Sequence, residues 1–425
     1  MLSRRKFLWA TAGAAAVLPR TVLDARGRVQ GANDRVRIGV IGTGTRGTMV
    51  AGFFTRHKDC QIVAACDVAK SRLDEFVTKV GTAGSKIDAY EDYRKILERK
   101  DIDAVLVATP DHWHGPQLIE ACAAGKDVYV EKPISNAVEP AWKMVEAARA
   151  HKRVVQVGLQ QRQGKHFQEA RKLVQDGQLG KITHVVMQFG GAYTVAPEPT
   201  TAPPADLNWE MFQGPAPRRP YKASRQRRWR TYYDYGGGLV TDWGVHLVDV
   251  AHWYLNLDAK APKVATASAQ YVNVPNPEHD QVPDAFIVSW QYDDVVMSFT
   301  NAVPNNTEFG FQGNYFYGPN GCLHIHRSGY QVRPNPPRRM PGAPEPPPPI
   351  EAKLVKDPEN YFDDPNTVAQ CRDFLDCIKS RNKAISDIEI GFHSTLPCML
   401  GLLAIRGGQT YEWNGKEAKP ATGTK

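Results

Sequence analysis

The residue best placed to do chemistry is Lys132, which lies near the end of the stretch DVYVEKP at residues 127–133. An apolar run that ends in a carboxylate, an ammonium and a proline is typical of a parallel strand that delivers polar side chains beyond its carboxyl end. Pro133 restricts the backbone at Lys132 and so fixes where the ammonium points. Since a Lys-Pro pair alone is more often a solvated turn, the interpretation depends on the neighbouring motifs.

A second chemical pair, Asp242 and His246, is spaced i, i+4. On a helix both side chains lie on one face, where a carboxylate sets the tautomer of an imidazole and raises its basicity. Asp249, three residues further on, adds another acid on nearly that face. A satisfied structural pair has the same spacing. A metal site is a further alternative, but no clear third ligand accompanies the pair, and no metal site is predicted.

A glycine motif, GTGTRG at residues 42–47, lies between an apolar run and a helical pattern. The next apolar run is followed by Asp67, 20 positions after the last glycine. This is GxGxxG in the strand–turn–helix context of a dinucleotide-binding fold, where a helix N-terminus favours the pyrophosphate charge. Asp67 can accept hydrogen bonds from the ribose hydroxyls, which favours NAD, whereas Lys70 and Arg72 keep NADP open.

The elements around these motifs alternate between strand and helix up to about residue 160. They predict a doubly wound parallel sheet of about six strands. After Lys165 the pattern changes to strands typical of an antiparallel sheet, followed by helices at 366–379 and 388–404. Two local predictions concern the site. Asp111 is read as the N-cap of a helix, and residues 239–255 as one helical run.

The chain begins with a targeting segment, SRRKFL at residues 3–8, followed by a short apolar stretch rich in Ala and Gly. The pattern predicts a twin-arginine signal peptide at residues 1–30, with cleavage after Ala25, rather than a membrane anchor. A basic amphipathic helix is the alternative. Export in the folded state would place the protein in the periplasm or outside the cell.

Composition is ordinary for a globular protein, with 42% hydrophobic and 23% charged residues and a formal net charge of +8. The basic cluster RQRRWR at residues 225–230 has no nucleic-acid motif beside it. An anionic substrate, a phosphate contact or a solvated face explains it better, and no nucleic-acid partner is predicted. The seven cysteines are odd in number and include no CxxC, so we expect free, mostly buried thiols.

Together these motifs resemble the Gfo/Idh/MocA oxidoreductases, the family of glucose–fructose oxidoreductase, inositol dehydrogenase and rhizopine-catabolism proteins. The elements that match are the glycine motif, the Ala-Thr-Pro-Asp run with His114, the Glu-Lys-Pro run, and the triple glycine at 236–238 followed by Asp242 and His246. They follow the family's order over residues 36–405. The resemblance implies an α/β protein with a Rossmann domain, then an α/β domain with a large, mostly antiparallel open sheet. That open face often forms homo-oligomers in the family.

The domains expected are a Rossmann domain at 34–160, a substrate-binding domain at 161–365, and closing helices with a tail at 366–425. By the resemblance, Lys132 hydrogen-bonds the reacting hydroxyl, and His246 is the general acid/base. The Lys132-Pro133 peptide bond is expected to be cis, which would aim the Lys132 side chain. Asp242 orients the substrate or the histidine. Glu131 and His114 contact the ribose or nicotinamide side. The predicted cofactor-binding residues are Gly42, Gly44, Thr45, Arg46, Gly47, Asp67, Thr109, Pro110, His114, Glu131 and Lys132.

The function expected is NAD(P)-dependent oxidoreduction at a secondary hydroxyl of a sugar, polyol or glycoside. Because free cofactor is scarce outside the cytoplasm, an exported enzyme would keep its cofactor tightly bound. One alternative is an exported NAD-dependent glycoside hydrolase that uses transient oxidation and elimination. The other is a non-catalytic sugar-binding module.

Overall fold

The structure, a computed structural model, describes residues 22–23, 29–30, 35–81, 86–274, 277–301, 312–336, 348–357 and 363–421. Two short strands, β1 (Val22–Leu23) and β2 (Val29–Gln30), pair antiparallel in a unit of their own. The rest of the predicted signal peptide lies outside the described residues, so the twin-arginine signal stays a prediction.

The first domain is built on a parallel sheet, which confirms the predicted doubly wound fold. Its strands are β3 (Val36–Ile41), β4 (Cys60–Cys66), β5 (Asp88–Tyr90), β6 (Ala104–Val107), β7 (Asp127–Val130) and β8 (Val155–Val157). Their order is β5-β4-β3-β6-β7-β8. Because the order reverses between β3 and β6, a crevice opens beyond the carboxyl ends of these strands. The central strands β6 and β7 are fully buried, as expected for a sheet covered on both faces.

Helices on the two faces connect these strands. They are α1 (Thr45–Phe54), α2 (Lys70–Val80), α3 (Arg94–Glu98), α4 (Asp111–Ala123) and α5 (Val138–Ala150). A 3₁₀ turn at Gln160–Gln163 follows β8 and leads into α6 (Lys165–Gln175).

The second domain contains a ten-stranded sheet. Its strands are β9 (His184–Phe189), β10 (Val264–Gln270), β11 (Ala285–Gln291), β12 (Val296–Thr300), β13 (Gln312–Gly318), β14 (Gly321–His326), β15 (Gly329–Pro334), β16 (Lys353–Lys356), β17 (Tyr411–Trp413) and β18 (Ala418–Pro420). The order is β16-β15-β14-β13-β9-β12-β11-β10-β17-β18. β9 and β12 pair in parallel, and the other neighbouring strands of this sheet pair antiparallel. The large, mostly antiparallel sheet is therefore confirmed.

The helices of this part are α7 (Trp209–Gln213), α8 (Ala223–Arg227), α9 (Gly238–Asp242), α10 (Gly244–Leu255), α11 (Pro365–Ser380) and α12 (Ile388–Gly407). The closing helices divide between the domains. On α11, Phe374 packs edge-on against Phe54 and Tyr129 of the first domain, with ring centroids 6.1 and 5.9 Å apart. On α12, the carbonyl of Pro397 accepts a 2.7 Å bond from Trp290 of the sheet. By length and composition α12 could cross a membrane, but 72% of its apolar window is buried inside the protein.

The predicted single helix over residues 239–255 is wrong, because two helices meet at Trp243. The Asp242 carbonyl accepts a 2.8 Å hydrogen bond from Lys132 Nζ, and Gly244, a poor helix former, begins α10. There a Cβ would lie 3.1 Å from Cys398 Sγ. At this break the hydrogen bond from Lys132 to the Asp242 carbonyl connects the second domain to the end of β7.

The predicted N-cap role of Asp111 is also wrong. Asp111 is the first residue of α4, and Pro110 occupies the N-cap position without a side-chain cap bond. The Asp111 carboxyl group lines a cavity instead.

All seven cysteines are unpaired in the structure, and six of them are buried.

Candidate active site

The glycine motif forms the tight turn between β3 and α1. Gly42 has φ +91°, and a Cβ there would lie 2.8 Å from the backbone of Ala108. A Cβ on Gly47 would lie 2.0 Å from the Gly42 carbonyl oxygen. The loop thus needs glycine at both positions, which fits a dinucleotide-binding turn at the start of a helix.

Asp67 lies just after β4 and is tied to this loop. Its Oδ2 accepts hydrogen bonds from the backbone N–H and the hydroxyl of Thr43, at 2.8 and 3.0 Å, and its Oδ1 accepts from Ala69 N–H at 2.9 Å. Of the two nearby cations, Lys70 pairs with Asp74 at 2.6 Å, whereas Arg72 lines the cavity. Arg72 is therefore the cation that can face a ribose 2′-substituent.

One cavity of about 520 Å³ brings the two halves of the site together. Except for Gly47, which supports the loop from behind, every predicted site residue lines it. Those residues are Gly42, Gly44, Thr45, Arg46, Asp67, Thr109, Pro110, His114, Glu131, Lys132, Asp242 and His246. The first-domain edge and the α9–α10 segment thus share one opening, which has room for a cofactor portion and a small substrate.

Lys132 and Asp242 form the centre of the site. Lys132 Nζ donates to Asp242 Oδ1 at 2.6 Å and to the Asp242 carbonyl at 2.8 Å. The Lys132-Pro133 bond is cis, as predicted. Two residues that the sequence analysis did not assign complete the arrangement. Tyr193 donates its hydroxyl to Asp242 Oδ2 at 2.5 Å, and Arg230 Nε lies 3.1 Å from Asp242 Oδ1.

The charges of these groups follow from their surroundings. Burial alone would raise the pKa of Asp242, but Arg230 and Lys132 outweigh it and hold that pKa well below its usual range. Burial and the neighbouring Asp242 raise the pKa of Tyr193. Asp242 is therefore an ionised acceptor, and Tyr193 keeps the proton that it donates.

His246 is buried and neutral. Burial lowers the pKa of His246 well below its usual value, Lys132 and Arg327 lower it further, and Asp242 opposes them. The expected contact in which Asp242 fixes the imidazole tautomer is not formed, because Lys132 and Tyr193 hydrogen-bond the two Asp242 oxygens and Arg230 forms an ion pair with Oδ1. The His246 Nδ1 atom is buried without a hydrogen-bond partner among the described residues. A neutral imidazole that lines the cavity can accept a proton.

Glu131 and His114 line the cavity but are also held by the protein. Arg46 Nε donates to Glu131 Oε1 at 2.8 Å. The ring nitrogens of His114 lie 2.7 Å from the carbonyl oxygen of Pro133 and 2.8 Å from that of Thr109. His114 therefore braces the loops that follow β6 and β7, whereas Glu131 ties the end of β7 to α1. Their predicted contacts with the ribose or nicotinamide remain predictions.

Of the remaining sequence candidates, Asp249 and Arg225 are held in ion pairs and Arg227 lies at the cavity. Asp249, expected to add an acid near His246, is paired with Arg162 instead. In the basic cluster, Arg225 is buried against Asp280 at 2.7 Å, whereas Arg227 lines the cavity. Among the described residues, no group of three or more His, Cys, Asp or Glu side chains is arranged to hold a metal ion.

Sequence reasoning missed Tyr193 and the cavity position of Asp111. The Tyr- and Arg-rich stretch at residues 229–235, before the triple glycine, was expected to line the substrate mouth, and Arg230 lines the cavity, but its contact with Asp242 was not predicted. Tyr193 lies in an irregular loop whose sequence carries no periodic signal.

Comparisons with known proteins agree with this architecture. Residues 36–159 match the family described as "Oxidoreductase family, NAD-binding Rossmann fold", and residues 164–420 match "Oxidoreductase family, C-terminal alpha/beta domain". In solved structures the fold is similar to levoglucosan dehydrogenase in complex with NADH and levoglucosan. That structure has a TM-score of 0.66 and 16% identity, covering 89% of this chain and 99% of the other. The fold is also similar to the aldose–aldose oxidoreductase from Caulobacter crescentus complexed with glycerol. That structure has a TM-score of 0.63 and 21% identity, covering 89% of this chain and 100% of the other.

Curated relatives include glycosyl hydrolase family 109 proteins. One from Shewanella sp. (strain ANA-3) is 32% identical over 156 residues, which is 36% of this chain and 34% of the relative. One from Stenotrophomonas maltophilia (strain K279a) is 29% identical over 248 residues, 54% of this chain and 50% of the relative. The chain thus spans a third to a half of the length of these curated relatives. The two family matches cover both domains, and the chain belongs to the Gfo/Idh/MocA oxidoreductase family, with an NAD-binding Rossmann domain followed by the family's C-terminal α/β domain.

Proposed function

We propose that the protein is an exported, NAD-dependent oxidoreductase that acts on a secondary hydroxyl of a sugar, polyol or glycoside and keeps its cofactor bound. One observation carries this proposal: Lys132 and His246 line the same cavity as the glycine loop and Asp67. Lys132 and His246 suit proton transfer at a hydroxyl, and the glycine loop and Asp67 suit the binding of a dinucleotide.

The proposed cofactor is held by the chain's own groups. The loop at 42–47 and the start of α1 hold the pyrophosphate, and Asp67 accepts from the ribose hydroxyls. Bound NAD supplies the hydride acceptor at its nicotinamide ring. Arg72 leaves NADP as an alternative.

Lys132 binds and polarises the reacting hydroxyl. An ammonium group has three N–H donors, and two of them are directed at the carboxylate and carbonyl of Asp242. The third donor serves the substrate oxygen, where the positive charge stabilises a forming alkoxide. Asp242, fixed in turn by Tyr193 and Arg230, aims this donor.

His246 removes the hydroxyl proton. Its depressed pKa keeps the imidazole neutral at pH 7, so the base is present without prior deprotonation. In the reverse direction the resulting imidazolium returns the proton. Lys132 and His246 thus act on one oxygen from two domains.

Export and cofactor retention are parts of the proposal that rest on the sequence. The segment at residues 3–8 favours twin-arginine export of a folded protein, and a folded holoenzyme can carry its cofactor to the periplasm. The sugar or polyol class is supported by structurally similar proteins whose complexes contain levoglucosan and glycerol.

Redox-neutral glycoside hydrolysis is the second candidate. The family 109 glycosyl hydrolases among the curated relatives favour it, although the chain matches them over part of their length. In this reaction a ring carbon is oxidised to a ketone, a neighbouring C–H is deprotonated and the glycosidic group leaves by elimination. Water then adds to the unsaturated ketone, and the hydride is returned to the ketone carbon, so that the net reaction is hydrolysis.

A direct experiment measures the bound cofactor. Protein purified without added nucleotide is denatured, and the supernatant is analysed by absorbance and mass for NAD(H) and NADP(H). We expect about one dinucleotide per chain, and its absence from repeated preparations would contradict retention. Asp67→Ala should lower the NAD content, whereas Asp74→Ala, an exposed acid on α2, should not.

A substrate panel tests the activity. The holoprotein is mixed with sugars, polyols and aryl glycosides, while cofactor absorbance and glycoside release are followed together. Net change in the reduced cofactor supports oxidoreduction, and release without net change supports the hydrolase. If no compound is turned over although the cofactor is bound, the protein is a binding module.

We also propose a homo-oligomer through the open face of the ten-stranded sheet. Strand register places Ile287, Val296, Tyr317 and Leu354 on this one face, each more than 40% exposed. Val296→Lys should shift the mass measured by light scattering toward the monomer. Val272→Lys, at an exposed position after β10, is the matched control.

A further inference from the structure

Asp111 occupies the same edge of the parallel sheet as Lys132. Strands β6 and β7 are neighbours, with Val107 paired to Val130. Asp111 follows β6 by four residues, and Lys132 follows β7 by two. Because neighbouring strands lie about 4.8 Å apart, both side chains enter the cavity at adjacent positions. The cavity lining includes both residues.

The carboxyl group of Asp111 is buried and incompletely bonded. The residue is 2% exposed, and its Oδ2 has no hydrogen-bond partner among the residues that the structure describes. Buried polar atoms are nearly always paired, and leaving one unpaired is costly. A carboxyl oxygen of this kind beside a ligand cavity points to a ligand group as its partner.

We infer that Asp111 is a further substrate-binding residue, which hydrogen-bonds a second hydroxyl within one or two carbons of the reacting carbon. The site then takes a diol, and a simple secondary alcohol is a poor substrate. This inference rests on the proposed function, since it deepens the substrate class of the same cavity.

The charges around Asp111 define how it binds. It faces Arg230 from the 3₁₀ turn at Trp229–Thr231, Asp242 from the end of α9 and Lys132 from the end of β7, with His112 and His114 on its own helix. Burial raises the pKa of Asp111 well above its usual value, and Asp242 adds to the rise, whereas Arg230 and Lys132 oppose it. The start of α4 also favours the carboxylate, but burial outweighs it.

Asp111 and Asp242 are thus two neighbouring acids that their surroundings drive apart in pKa. Asp242 is the ionised acceptor for Lys132, whereas burial favours the protonated form of Asp111. In that form Asp111 donates to the oxygen of a substrate hydroxyl, and its other oxygen can accept. Asn has a similar shape and retains a donor and an acceptor, whereas Ala has neither.

The test compares Asp111→Asn with Asp111→Ala in the holoprotein. We expect Asp111→Ala to raise KM for the best panel substrate by about 10- to 100-fold, with a smaller effect on kcat. Asp111→Asn should stay within a few-fold of wild type. Glu120→Ala, a partly exposed acid on the same helix, should leave KM unchanged. Cofactor content and melting temperature report whether each variant is folded.

Deoxy analogues separate substrate binding from a structural role. Each analogue of the best substrate lacks one hydroxyl next to the reacting carbon. Wild type should discriminate against one of these analogues, and Asp111→Ala should not discriminate. A variant that retains the wild-type discrimination overturns the inference while leaving the proposed function intact.

Calorimetry distinguishes a failure of the Asp111 inference from a failure of the proposed oxidoreductase function. NADH-loaded wild type and Asp111→Ala are titrated with myo-inositol, D-glucose and their monodeoxy analogues. Binding that depends on Asp111 without turnover supports the inference and contradicts the proposed oxidoreductase. If the wild type binds none of these compounds and turns over none, both are overturned.

Discussion

Two ion clusters join the first domain to the α9–α10 segment, and each combines aspartate with basic side chains and a hydroxyl group. The open cluster consists of Lys132, Asp242, Tyr193 and Arg230. The closed cluster consists of Arg162, Asp249, Asp258 and Ser394. The two central aspartates are seven residues apart, and each meets a cation from the carboxyl edge of the parallel sheet.

In the closed cluster the charged groups are directed at one another. Arg162 Nη2 donates to Asp249 Oδ1 at 2.7 Å, and Arg162 Nε lies 3.0 Å from both Asp249 oxygens. Arg162 also contacts both carboxylate oxygens of Asp258, and the hydroxyl of Ser394 donates to Asp249 at 2.8 Å. Arg162 is 2% exposed, and neither it nor Asp249 lines the cavity.

The open cluster borders the cavity, and its surroundings retain bonding capacity. Lys132 has a third donor, and the adjacent His246 and Asp111 each have a buried atom without a partner among the described residues. This difference indicates that a buried ion pair is a structural element when its donors and acceptors are directed at each other. It becomes a candidate reaction site when bonding capacity is directed at a cavity.

The largest expected effect is on turnover. Lys132→Ala and His246→Ala should each lower kcat by at least about 10²–10⁴-fold, the usual contribution of general acid–base catalysis, while NAD remains bound. Steady-state kinetics and cofactor analysis on the same preparations provide the measurement.

The double variant sharpens this prediction. Because both side chains act on one proton, the loss of both should be little worse than the worse single change. Fully multiplicative losses would show independent roles. A single variant with wild-type turnover would remove that residue from the site.

In the closed cluster the expected effect is on stability. Asp249→Asn leaves the buried Arg162 without its main counter-ion, which should lower the free energy of unfolding by about 3 kcal/mol. Urea denaturation measures this change. The kcat value should stay within a few-fold of wild type, and a loss as large as that of Lys132→Ala would place Asp249 in the chemistry.

Asp242→Asn is the corresponding change in the open cluster. It should lower kcat more, and the free energy of unfolding less, than Asp249→Asn does. The variant loses the negative charge and one of the two acceptor oxygens that hold Lys132 and Tyr193, so kcat should fall by about 10²-fold, as when one preorganised electrostatic contact is removed. The loss of stability should be smaller than for Asp249→Asn, because solvent in the cavity can reach Lys132. Equal losses of stability in the two variants would contradict the distinction between the clusters.

The sequence predicted those features that depend on local pattern. GxGxxG, Asp67 and the strand–helix alternation identified the parallel sheet and cofactor crevice, since each is encoded within a few tens of residues. Lys132 was identified because its strand, turn and proline are contiguous. Its partner Asp242 lies 110 residues away. The Glu-Lys-Pro and Asp-x₃-His motifs together indicated one shared site, but the sequence analysis assigned Asp242 to the substrate or the histidine and did not predict its contact with Lys132.

The rest depends on contacts that no local pattern records. Helical spacing assigned Asp249 to the face of His246, but it carries no information about Arg162, which is 87 residues away and saturates that acid. Asp111 was assigned to a cap because Asp often caps helices, whereas the cavity beside it is created by the second domain. Tyr193 lies 49 residues from Asp242 in an irregular loop.

The smallest expected effect concerns pH, and it tests the charges of the open cluster. His246 must be neutral to accept a proton, so activity is present above the His246 pKa and falls about tenfold per pH unit below it. Because burial lowers this pKa well below 6.5, the acid limb of kcat/KM should lie well below pH 6.5. Lys132 and Arg327 also lower the His246 pKa, whereas Asp242 raises it.

Single substitutions should therefore move this limb in opposite directions. Arg327→Gln removes a positive charge that disfavours the imidazolium, so the His246 pKa and the acid limb should rise. Asp242→Asn removes a negative charge that favours it, so the limb should fall, even though the overall rate is lower. NMR titration of ¹³C-labelled histidine measures the same pKa without turnover, and His246→Gln identifies its resonance. If both charge changes shift the resonance in the same direction, His246 is not titrating in the field of the open cluster.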